Sequence, residues 1–238
     1  MSRGWGWGLR FLGNPLSAGC YSAFLLWIFA SGCLMAGTGT VLPSLILPPP
    51  LLQKTQATYG PQANSRLVRW QELVGREEQA REWHRLLRIN HYLNAIPFED
   101  DQEHWGEADF WATPVQFLAS NGGDCEDYAI AKLFSLTAAR IAPEKLRLAY
   151  VNATTLNQPH MVLLYAATPW EHPVVLDNLT KEVIPARERT DLVPVYSFNA
   201  SGLWINRQLD GGTKVRNRPG SSLWRELLDR IQREGVFE

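Results

Sequence analysis

The spacing of apolar residues changes from helical to strand-like near Pro143, and that change limits the fold more than any other feature. Before it, Leu67, Trp70, Leu73 and Val74, then Trp83, Leu86, Leu87, Asn90 and Leu93, recur at helical spacing. A break between two helices is expected near Gly75. Pro97 and Glu99-Asp100-Asp101 close this section, residues 105–113 read as an aromatic loop, and Thr113-Pro114 opens a short helix through Ala119. A helix over 124–139 follows. Beyond Pro143 come short β-prone runs at 146–151, 161–166, 174–179 and 193–199, with a further strand at 202–207. An amphipathic helix at 222–233 ends the chain. Helices first and strands later predict an α+β domain whose sheet packs on the helix of residues 124–139.

Residues 1–52 hold no acidic residue and only Arg3 and Arg10 as basic ones. The apolar run at 21–36 suits the core of a signal peptide and falls short of the roughly 20 residues of a full span. With the small residues 36–39 behind it, the segment fits a secretory signal. Apolar residues resume at 41–52, so an uncleaved membrane anchor is the alternative. The proline-rich stretch 43–50 reads as a stiff connector that regular helix excludes. Residues 53–238, one domain in size, carry all 24 acidic residues and 21 of the 23 basic ones, a net charge near −3. No basic stripe dominates, which argues against nucleic-acid binding.

Asn121-Gly-Gly-Asp-Cys-Glu-Asp-Tyr-Ala-Ile-Ala-Lys132 contains the one cysteine beyond residue 33. Asp124 suits an N-cap and Asp127 the acidic half of a capping box. Cys125 then lies in the first helical turn, where free N–H groups and the helix dipole favour a thiolate. It shares a helical face with Ala129, Leu133 and Leu136, so a small buried residue is the competing reading. A nucleophilic cysteine needs an imidazole and a group to orient it. His84 and His91 sit on a charged helix, and His104 and His172 in polar loops. His160 stands at the mouth of the 161–166 strand, and Asp177 interrupts the apolar run of the next. A hairpin around Thr168-Pro169 would oppose residues whose numbers sum to about 337, which His160 and Asp177 satisfy. Cys125, His160 and Asp177 are therefore the candidate triad. The Cys125 backbone N–H is a candidate oxyanion donor, with Gln116 and Trp111 as side-chain candidates.

The Cys125 block, together with Trp111-Ala-Thr-Pro, Pro159-His-Met-Val-Leu and Val175-Leu-Asp-Asn, resembles the bacterial transglutaminase-like cysteine proteinases, the LapG-type periplasmic proteases, over roughly residues 65–215. The resemblance implies a papain-like fold of the transglutaminase kind, with Cys125 as nucleophile, His160 as general base and acid, and Asp177 as orienting carboxylate. It implies a protein substrate, a large surface adhesin cut near its N-terminal retention module at paired small residues, which loosens a biofilm. It also implies a partner, an inner-membrane cyclic di-GMP receptor that sequesters the protease in the periplasm, and calcium as cofactor. The residues supply a reason for calcium. Asp124, Glu126 and Asp127 crowd the thiol with negative charge, which opposes a thiolate, and a hard cation would reverse that field. Asp124 and Glu126 are the expected Ca²⁺ ligands, with Asp127 as helper. A transglutaminase-like acyltransferase or deamidase with the same triad, and a non-catalytic binding module, are the other functions this sequence admits. Trp170 and Trp204 are candidate receptor contacts.

Overall fold

The computed structural model describes residues 44–209, 212–217 and 221–237; the expectations for the leader fall outside them. Among the described residues no helix is long and apolar enough to cross a membrane. The proline-rich stretch is not a free connector. Leu45 and Leu47 are buried, and Ile46 N–H donates to the Val236 carbonyl at 2.9 Å. Helix α1 (Pro49–Tyr59) then starts on two prolines. The first turn has no use for their missing N–H groups, so prolines that would break a helix interior can begin one.

Helix α2 (Pro61–Glu77) runs straight through Gly75, and the break comes a few residues later, before α3 (Glu82–Leu93). A helical glycine costs about 1 kcal/mol, less than the packed face of Leu67, Trp70, Leu73 and Val74 returns. On α3 the buried stripe is Leu86, Ile89, Asn90 and Leu93, while Trp83 and Leu87 point outward. After the short α4 (Asp101–His104), α5 (Pro114–Ser120) opens on a complete capping box between Thr113 and Gln116.

Helix α6 (Cys125–Ala138) is buried almost all round, between α2, α3 and α5 on one side and the sheet on the other. The Trp70 indole N–H donates to Ser135 Oγ at 2.8 Å, fixing α6 against α2. The antiparallel sheet comprises β1 (Leu146–Ala153), β2 (Gln158–Tyr165), β3 (Val174–Leu176), β4 (Ile184–Pro185), β5 (Leu192–Asn199), β6 (Gly202–Ile205) and β7 (Thr213–Arg216), in the order β4-β3-β2-β1-β5-β6-β7. The two edge strands, β4 and β7, are not legible as strands in the sequence. Leu148, Met161, Leu163 and Leu176 belong to the core shared with α6, and Val151, Val162, Leu164 and Val175 to a second cluster on the other face. Helix α7 (Ser222–Glu234) closes the fold, packing Trp224 against Phe134 and Phe198. The α+β architecture with α6 on an antiparallel sheet is the one expected.

The β2–β3 register differs from the expected one. Leu163 faces Leu176 and Tyr165 faces Val174, so paired numbers sum to 339, and Asp177 stands one residue past the end of β3.

Candidate active site

The approach to Cys125 is built by Gly122 and Gly123. Asn121 ends α5 in the left-handed conformation (φ 66°). Gly123 then forms a bridge to Phe98, its carbonyl accepting Glu99 N–H at 3.0 Å. A Cβ on Gly123 would lie 2.7 Å from the Phe117 ring and closer still to the Asp127 carboxylate. Gly123→Ala is therefore expected to destabilise the protein by about 1–3 kcal/mol, read as a lower urea midpoint at unchanged slope.

Asp124 takes the N-cap position in extended conformation, but its side chain makes no capping bond. This corrects the capping expectation. Asp127 keeps its carboxylate toward Asp124 N–H, and its Oδ1 accepts Ala112 N–H at 2.7 Å, pinning the 111–113 segment to the start of α6. Cys125 is the first residue of the helix, half-buried, and its Sγ donates to Glu126 Oε2 at 3.0 Å. Burial, with Glu126 and Asp124 adding negative charge, pushes the thiol well above its ordinary range.

The structure brings His160 and Asp177 together. His160 lies inside β2, not before it, and its Nε2 is 2.8 Å from Asp177 Oδ1, both residues buried. That leaves Nδ1 as the ring nitrogen free of Asp177. Asp177 Oδ1 also accepts Leu179 N–H at 3.1 Å, and the Asp177 carbonyl accepts Asn94 Nδ2 at 2.7 Å. Burial opposes ionisation of Asp177, but the His160 bond and the His160 and Arg189 charges outweigh it and hold the carboxyl well below its usual range. Cys125 and His160 line one cleft of about 820 Å³, with Tyr150, Phe98, Leu156 and Leu179 among its other walls. Of the remaining histidines, His84, His91 and His172 are exposed, and His104 is engaged with Glu99 at 2.6 Å.

The side-chain oxyanion candidates are corrected. Gln116 Oε1 accepts Thr113 N–H in the capping box, and the residue lines a different cavity, beside Leu51 and Glu234. Trp111 does line the cleft, but its side chain bonds to Asp109. The Cys125 backbone N–H, in the first helical turn, has no intrahelical acceptor.

Around Asp124 and Glu126 the fold gathers further carboxylates. Donor oxygens of Asp101, Asp109 and Glu126 lie within 4.8 Å of one another, as do those of Asp101, Asp124 and Asp127. Asp101 Oδ1, Asp124 Oδ1 and Asp127 Oδ2 are buried with no hydrogen-bond partner. Burial and mutual repulsion raise Asp101 to about 6 and Asp124 to about 10, and raise Asp109 and Asp127 as well. Orphaned carboxylate oxygens in this density are the donor set of a hard divalent cation such as Ca²⁺. Asp101 and Asp109 escaped sequence reasoning. In the sequence Asp101 belongs to a helix-ending acidic run, and Asp109 sits in a loop with no period. Arg189, 2.7 Å from Asp177 Oδ2, and the fully buried Lys132 were missed as well.

The model of the family described as bacterial transglutaminase-like cysteine proteinase matches residues 64–207. The chain is similar to the solved structure of calcium-bound Legionella pneumophila LapG at 35% identity, covering 76% of this chain and 97% of that one, with a TM-score of 0.66. EGTA-treated Legionella pneumophila LapG gives 33% identity, 79% and 99% coverage, and a TM-score of 0.68. None of the curated proteins matches in sequence.

Proposed function

Because the chain belongs to the bacterial transglutaminase-like cysteine proteinases, as a cysteine peptidase of the LapG type, we propose that it is an exported, calcium-dependent endopeptidase using Cys125, His160 and Asp177. The observation that carries this is that His160, which lines the same cleft as Cys125, is held by a buried hydrogen bond to Asp177.

In this mechanism His160 Nδ1 takes the Cys125 proton, because Nε2 is committed to Asp177. The thiolate attacks the scissile carbonyl, and the Cys125 backbone N–H receives the developing oxyanion. The imidazolium then gives its proton to the leaving amine as the C–N bond breaks. His160 next activates a water that hydrolyses the thioester, and the thiol is restored. Asp177 stabilises the imidazolium throughout. Asp124 and Glu126, joined by Asp101 and Asp109, would hold Ca²⁺, with Asp127 as helper through its orphaned oxygen. Bound there, the ion supplies positive charge against the carboxylate field that opposes a thiolate. The calcium-bound state of the similar Legionella protein supports this assignment.

The substrate in this reading is a large surface adhesin, cut near its N-terminal retention module at paired small residues, so that its release promotes biofilm dispersal. The protease acts in the periplasm, with or without its leader, and an inner-membrane cyclic di-GMP receptor sequesters it. Trp170, 92% exposed, is the better receptor contact, because Trp204 is held between Arg147 and Lys214. Mass spectrometry of an adhesin fragment bearing a paired-alanine site, incubated with the protein and calcium, tests the reaction. Two new chain termini are expected. An intact chain carrying isopeptide bonds or deamidated glutamine would instead establish the acyltransferase reading.

A further inference from the structure

We propose that Arg189 is a positioning residue of this site, holding the second oxygen of Asp177 so that His160 keeps the orientation needed for proton transfer with Cys125. This rests on the Cys125–His160–Asp177 reading above.

Asp177 is 1% exposed, and its contacts divide unequally. Its carbonyl is held by Asn94, and its Oδ1 by His160 and by Leu179 N–H. Oδ2 has no aligned hydrogen-bond donor. Its neighbour is Arg189 Nη2 at 2.7 Å, so it is held by charge. Arg189 is itself 7% exposed and follows the short turn Ala186–Glu188. Its Nε and Nη2 bind Asp191 at 2.9 and 2.8 Å. The Asp191 carbonyl accepts Thr154 N–H at 2.8 Å and Thr154 Oγ1 at 3.0 Å. Thr154 lies in the turn that leads into β2, whose third residue is His160. One guanidinium thus joins the loop carrying Asp177 to the hairpin carrying His160.

An arginine kept only for structure would be satisfied by the two parallel bonds to Asp191. The reach to Asp177 is additional, and it has a chemical consequence. While His160 is neutral, ionisation of this buried carboxylate rests on its hydrogen bonds with His160 and Leu179 N–H and on any cation that offsets its lost hydration. The other cation acting on Asp177 is Lys132 of α6. Its Nζ is fully buried without a hydrogen-bond partner, and burial lowers it to about 7, so at neutral pH its charge is only partly present. Arg189 carries a permanent charge.

The test uses the full chain in excess calcium and follows alkylation of Cys125 by iodoacetamide, mapped to that residue by mass spectrometry. Alkylation reads the thiolate without needing a substrate. Arg189→Ala and Arg189→Gln are expected to slow it at least about tenfold, the effect of one pKa unit. Arg189→Lys should retain part of the rate. Guanidinium ion, well below denaturing concentration, should restore Arg189→Ala but not His160→Ala. A neutral variant that melts cooperatively and is alkylated at the wild-type rate would overturn the proposal. Failure of both neutral variants to fold would also overturn it, assigning Arg189 to folding alone. If wild type and His160→Ala react equally fast, the triad itself fails. Fast wild type, slow His160→Ala and fast Arg189→Gln sink the Arg189 role alone.

Discussion

Cys125→Ala is expected to abolish peptide-bond cleavage, by about 10⁴-fold or more, because no other group can form the acyl intermediate. The fold should survive. Alanine is favourable in a helix, Cys125 is only half-buried, and its thiol is engaged only by the neighbouring Glu126 and by Met161 N–H. The melting temperature should therefore stay close to that of wild type while single-turnover cleavage disappears. A Cys125→Ala protein that still processes its substrate would remove the enzymatic reading altogether.

Chelation of calcium carries the second large effect. EGTA is expected to stop cleavage, and added Ca²⁺ to restore it. At a calcium level 100 times its Kd, binding stabilises the fold by about 2.7 kcal/mol, or about 5–10 °C in Tm for a domain of this size. Proton linkage fixes the sign of the pH dependence. Asp101 and Asp124 hold their protons more tightly folded than unfolded, up to about 6 and about 10. Their contribution to the metal-free protein is thus fully present below the unfolded carboxyl range near 4 and is lost as pH rises through those values. Calcium needs the ionised oxygens, so its affinity should rise over the same interval. Metal-free Tm should fall from pH 5 to pH 8 while apparent calcium affinity climbs. Asp124→Asn should separate the two, raising the metal-free Tm while weakening calcium. Calorimetric titration and thermal melts at several pH values check this, and a metal-free protein most stable at pH 8 would contradict it.

The catalytic candidates were legible for a particular reason. The expected hairpin register, summing to 337, is two residues away from the observed 339. Side chains alternate along a strand with a period of two, so a shift of two keeps each residue on its face, whereas a shift of one would have sent Asp177 to the other side. His160 and Asp177 therefore still meet. The same local regularity placed Cys125 at the start of α6. Gln116 failed as an oxyanion donor because nearness in sequence ignores a stronger local claim, the capping box it forms with Thr113. The break at Gly75 failed because packing outweighed propensity.

By itself the sequence determined the order of helices and strands, the thiol at a helix start, and the pairing of His160 with Asp177. All three follow from short-range periods of 3.6 and two residues, which any stretch of chain expresses without knowledge of the rest. Only the tertiary structure decided that Asp101 and Asp109 join Asp124 and Glu126, and that Arg189 reaches Asp177. Those residues sit on aperiodic segments, and their meeting depends on where the packing of α6 against the sheet leaves the loops. Burial then supplies the energetic sense of that meeting, since carboxylates crowded away from water demand a cation that no single segment of sequence announces.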